Sequence, residues 1–181
     1  MTGTSFFAFL HLEWLRLLAT PAVVYLDGPA RISFLVPLLV CLLIFRLTPL
    51  PKVSSAADGV WFSGLFLLGC AISFLTAYWG NTGLHFLASG EILWPVVVWI
   101  QGPRKISPWW AYVATFWGTL LPDVLLAGQY LHWETGFWMG VGGAGLQDAL
   151  FLSPMVSLLC ALILAQARSW ADQKGWIPAW R

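Results

Sequence analysis

Charge is what this sequence has least of. Only 9% of its 181 residues are Asp, Glu, Lys or Arg, against 59% hydrophobic, whereas a water-soluble domain carries about 25% charged residues. Nine basic and eight acidic side chains cannot coat a soluble surface, so the composition points to an integral membrane protein. There is no dense basic stripe either; with a net charge of +1 and scattered cations, a nucleic-acid partner is not expected. Cysteine is scarce and unpaired in pattern. Cys41, Cys70 and Cys160 each sit alone in an apolar run, which indicates neither a disulfide framework nor a zinc knuckle and leaves three small hydrophobes. The first residues lack a basic region and an A-x-A site, against a removed leader. The short alternating segments of a membrane β-barrel are missing too.

What is present is a series of long apolar runs. A helix crosses about 30 Å of hydrocarbon with roughly 20 residues, and five stretches meet that length: Ile32 to Leu50, Val60 to Gly80, Leu84 to Gln101, Pro108 to Gly128 and Gly145 to Ala167. Breakers separate them: TPLPK, GNTG, QGPRK and GVGGAG. The expected fold class is an all-α integral membrane protein, a compact bundle of five transmembrane helices. Residues 1–31 form an N-terminal segment, 32–167 the bundle and 168–181 a short Trp-rich tail. Residues 5 to 26 read in two ways: Glu13 and Arg16 pair at i,i+3 either on a helix lying in the interface or inside a sixth span.

Orientation follows from the cations. Arg46 and Lys52, Arg104 and Lys105, and Arg168, Lys174 and Arg181 fall in alternate connections, whereas 81–83 and 129–144 contain no Lys or Arg. The positive-inside rule places the first set and the C-terminus in the cytoplasm, with a bacterial inner membrane as the expected location. Trp79, Trp109, Trp110, Trp133 and Trp138 fit headgroup depth, and Trp170, Trp176 and Trp180 fit a tail held at the cytoplasmic face.

Gly69, Ser73 and Ala77, and more briefly Ala114 and Gly118, form small-residue ridges suited to close helix packing or a subunit interface. Pro37, Pro95, Pro122 and Pro154 fall inside expected spans, where each releases the carbonyl four residues earlier: Ser33, Glu91, Gly118 and Leu150. Such breaks either kink a helix or expose carbonyls to a solute.

The polar residues that cost energy gather towards the outer end. Glu91, seven residues into the third expected span, would lie about 10 Å below the outer boundary, where a carboxylate needs a partner, a cavity or a proton. Asp123 follows Pro122 and is expected to cap a helix restarted there; Asp148 belongs to a first turn, where an acid suits the helix dipole. With Asn81 and His85 they make an acid-rich mouth that favours cations. His132, Glu134 and His85 are weak metal candidates, without H-E-x-x-H, and no cofactor is indicated. Three function classes follow. The first is transport of a cation, a proton-coupled solute or a basic solute through Glu91, Asp123, Asp148, His85 and Asn81. The second is a structural or accessory subunit or homo-oligomer in a membrane complex, and the third an intramembrane hydrolase or lipid-modifying enzyme with an Asp123–Asp148 dyad. A Ser89, His85 and Asp123 triad also exists on paper, though G-x-S-x-G is absent.

The topology has a direct test. Cysteines placed at Ser54, Arg104 and Phe137 in a cysteine-free background should react with an impermeant maleimide from opposite faces, the first two from one and the third from the other; a shared face for all three contradicts the map.

Overall fold

The computed structural model describes residues 31–52, 55–76, 78–80, 83–103, 105–127 and 145–176. The helix or sixth span expected at 5–26, Asn81, Arg104, the 129–144 loop with His132 and Glu134, and Arg181 lie outside the described residues. Five α-helices dominate: α1 (Val36–Leu47), entered through a π-helical turn (Arg31–Leu35), α2 (Ala56–Thr76), α3 (Gly90–Gln101), α4 (Trp109–Ala127) and α5 (Ala149–Gln173), the last entered through a 3-10 turn (Gly145–Gln147). Between α2 and α3 runs a small ribbon of β1 (Tyr78–Gly80) and β2 (Gly83–His85), paired antiparallel with Trp79 opposite Leu84. Two helices, α2 and α5, are long and apolar enough to cross a membrane. Length and composition therefore carry two of the five expected spans.

Helix α4 sits at the centre and buries two faces. Tyr112, Val113, Phe116 and Leu120 pack with Cys41 and Ile44 of α1 and Leu150 of α5. Ala111 joins Trp94, Val97 and Val98 of α3 and Ala161 and Ala165 of α5. A Cβ at Gly118 would stand 3.8 Å from Phe66 of α2, ordinary contact distance, so the position faces α2 without needing to be glycine. Helix α5 buries Leu150, Ser153, Ser157, Ala161, Ala165 and Arg168, a stripe at three- and four-residue spacing. Its large side chains, Leu152, Met155, Leu159 and Ile163, face outwards and are exposed.

The two basic connections meet at one end. The Lys52 amide donates to the Lys105 carbonyl at 3.1 Å, and the Trp110 indole donates to the Pro49 carbonyl at 2.9 Å. The end of α5 joins them there, because the Arg168 guanidinium donates to the Trp99 carbonyl at 2.9 Å in the last turn of α3.

Three expectations need correction. The span expected from Leu84 is helical only from Gly90: the glycines at 80 and 83 favour a hairpin, and the hydroxyls of α2 offer the next residues other partners. No helix restarts at Asp123, since α4 continues through Pro122 to Ala127. Asp148 stands just before α5 as its N-cap rather than in the first turn.

Gly90 is the tightest crossing. A Cβ there would stand 3.0 Å from Thr115 Oγ1 and 3.2 Å from its Cα, and backbone cannot yield. Gly90→Ala should lose about 1–3 kcal/mol of stability, read as a lower melting temperature in detergent. Gly64→Ala, where nothing lies within 4 Å, should be neutral or slightly stabilising; equal losses at both sites would contradict the crossing.

Candidate functional site

The segment from Phe86 to Ala88 is non-helical and lies along the last turns of α2, and the chain turns at Ser89, which is already in the helical region and donates its amide to the Leu87 carbonyl at 2.8 Å. Leu87 donates its amide to Thr76 Oγ1 at 2.9 Å, and its carbonyl accepts from Ser73 Oγ at 2.9 Å. Ser89 Oγ then donates to the Gly69 carbonyl at 2.9 Å. Serine and threonine thus satisfy backbone groups that no helix or sheet satisfies. His85 ends β2 and Ser89 precedes α3, so the two do not share a helix.

At Gly90 the chain becomes helical against two further hydroxyls. Thr115 Oγ1 donates to the Gly90 carbonyl at 3.0 Å and lies 2.8 Å from Ser157 Oγ, which is itself 3.2 Å from the same carbonyl. Both side chains are fully buried. Four elements therefore meet at the point where α3 begins: α2 at Gly69, α3 at Gly90, α4 at Thr115 and α5 at Ser157. Gly69 and Ser157 are seven and eight residues from the neighbouring ends of α2 and α5, or about 10–12 Å at the helical rise. The start of α3 lies that far inside the bundle.

Glu91 is the second residue of α3 and its first-turn acid. It is half-buried, and the positive end of the helix dipole favours its charge. It is not seven residues into a helix, as the expected boundaries had it, yet it stands about as far from the ends of α2 and α5, carried there by non-helical chain. Pro95, four residues on and buried, gives no N–H to the Glu91 carbonyl.

The other acids lie higher. Asp123 is eight residues beyond Thr115 on α4, and Asp148 nine before Ser157 on α5, so both stand about 12–13 Å above the crossing at the end away from the lysines. Asp123 is buried at 9% exposure. Asp148 is the N-cap of α5 and its carboxylate accepts the Leu150 amide at 2.9 Å. The backbone of His85 ends β2, and β2 touches α4. Among the described residues no three His, Cys, Asp or Glu side chains come together as a metal site, and no buried side-chain nitrogen or oxygen lacks a hydrogen-bond partner.

The composition and spacing of α5 held a signal that the sequence reading passed over. Ser153, Ser157, Ala161 and Ala165 recur every four residues and lead to Arg168, which is 7% exposed. Arg168 had been read only as a cationic tail residue; its Nη1 closes the C-terminal end of α3 while its Nε meets Asp172 at 3.2 Å. No family model, curated protein or solved structure matches the chain.

Arg168→Ala should lower stability by about 1.5–3 kcal/mol, the range for hydrogen bonds to a charged group. Asp172→Asn should cost less, because Asp172 is half exposed. Chemical unfolding monitored by helical circular dichroism checks the order; a larger loss for Asp172→Asn would place the anchoring elsewhere.

Proposed function

We propose that this is an integral membrane protein of five membrane-embedded helical segments, and that its broken third segment admits a cation, a proton-coupled solute or a basic solute, with Glu91 as the central carboxylate. Its inverted polarity supports the membrane setting. Only 17% of the apolar window of α2 and 33% of that of α5 are buried, where the core helix of a soluble protein would be mostly covered. Hydroxyls and small residues face inwards while leucines face out, the arrangement suited to lipid. Helix α3 alone reaches about 18 Å, short of the hydrocarbon thickness, and the non-helical residues before it make up part of the rest. The clustered cations favour a cytoplasmic basic end in a bacterial inner membrane.

The observation that carries the transport reading is the start of α3 inside the bundle with an acid in its first turn. Broken helices with a polar residue at the break are a construction transporters use to bind solutes in mid-membrane. In this reading Asp123, Asp148, His85 and Asn81 form the acidic approach from the outer end, and Glu91 takes the cationic group. The seal towards the basic end consists of Val97 and Val98 against Ala161 and Ala165, closed by Arg168. A solute leaving on that side must part α3 from α5.

One observation favours a second reading, a structural or accessory subunit. The hydroxyls at the crossing donate to backbone or pair with each other, and Leu162, Ile163, Gln166, Ala167 and Trp170 form an exposed apolar groove on α5, a suitable face for another membrane helix.

Glu91→Gln separates the two. In proteoliposomes offered labelled sodium, rubidium or putrescine, wild type should accumulate at least one, and Glu91→Gln should lower that uptake about tenfold, equivalent to losing roughly 1.4 kcal/mol of charge pairing. Full uptake by correctly inserted Glu91→Gln rejects the carboxylate mechanism. No uptake by wild type, with a stable larger assembly, favours the subunit reading.

A further inference from the structure

Resting on the membrane reading above, we propose that residues 48–52 and 105–108, where the two connections meet, form a binding site for the headgroup of an anionic phospholipid, with Lys52 and Lys105 as its cations. The residues are far apart in sequence but tied together in space. The backbone bond from Lys52 to Lys105 joins the two connections, and a second tie runs from the Trp110 indole to the Pro49 carbonyl. Phe45 meets the Trp110 ring edge-on at a centroid distance of 4.8 Å, which backs the indole from α1. Gly102, at φ +80, ends α3 and turns the chain into this junction, a conformation that favours glycine.

Both lysine side chains are exposed, and among the described residues neither is in an ion pair. Asp58, the acid of the adjoining first turn of α2, has its carboxylate on the Ser55 amide at 3.1 Å. Two cations held close together suit a phosphodiester better than one does. The rim decides between a lipid and a soluble acidic partner. Leu47 at 76% exposure and Leu50 at 68% stand beside the junction, with Trp109 half exposed. A phospholipid offers acyl chains to these side chains and a phosphate to the lysines, whereas an acidic peptide would leave the apolar rim uncovered.

The test weighs the full chain by native mass spectrometry from detergent micelles containing equal dioleoylphosphatidylglycerol and dioleoylphosphatidylcholine. Wild type should retain the anionic lipid with about a tenfold preference, in line with two lysines near an anionic surface. Lys52→Gln with Lys105→Gln should bring retention close to even. Lys52→Arg with Lys105→Arg, and Lys174→Gln in the tail, should both keep the preference. Even retention by wild type, or an undiminished preference in the double glutamine variant, overturns the site while leaving the membrane reading intact. Retention of neither lipid counts against both. Displacement of phosphatidylglycerol by a polyglutamate peptide overturns the lipid assignment in favour of an acidic protein partner.

Discussion

Leu87 lies outside any helix or strand, and the hydroxyls of Thr76 and Ser73 bond its amide and its carbonyl. An unsatisfied N–H or C=O buried away from water costs several kcal/mol, so this need constrains the rest of the bundle. The non-helical segment must lie against α2, which brings Ser89 beside Gly69. Helix α3 must then start where α4 and α5 cross, which requires a glycine at 90 and hydroxyls at Thr115 and Ser157. At its other end α3 is held by the Arg168 guanidinium on Trp99. A twelve-residue helix is too short to be stable on its own; it is held by contacts at both ends and by the Val97, Val98, Ala161 and Ala165 packing between them.

This arrangement reverses the polarity of a soluble protein. Hydroxyl-to-carbonyl contacts lie in the interior, and beyond Leu150 the buried non-proline apolar residues along α5 are alanines. Large aliphatic side chains are spent on the outside, where water would penalise them and lipid would not. The same reversal accounts for the short α3, whose exposed Ile92, Val96 and Ile100 lie along one outward stripe. The segment whose helix begins at Gly90, inside the bundle, also carries Glu91 in its first turn.

Much of the architecture was legible in the sequence because apolar runs and breakers are local signals. Proline and glycine at TPLPK and QGPRK mark the ends of α1 and α3, and the small residues Gly69, Ser73 and Gly118 mark helix contacts. The break before Gly90 was not legible, since FLAS is as apolar as a helix interior and its alternative partners are contributed by α2. Asp123 was misread for a related reason: a proline followed by an acid resembles a helix start, but packing of Phe116 and Leu120 carries α4 straight through. Arg168 looked like a tail charge because its partner is a backbone carbonyl, which has no sequence signature. Asp148, expected as a first-turn acid, stands at the N-cap instead, with its carboxylate on the Leu150 amide; the position near a helix start was legible and the exact boundary was not.

The central claim is that α3 begins inside the membrane rather than at its surface. Single nitroxide labels at Ile92 and Ile100, both outward-facing, measure depth in liposomes through collisions with oxygen, which concentrates in the hydrocarbon, and with a water-soluble nickel chelate. Ile92, in the first turn of α3, should show the higher oxygen-to-nickel ratio, and Ile100, near the basic end, the lower. A label at Ile92 that meets the nickel chelate as readily as one at Ile100 would put the start of α3 at the surface and contradict the account.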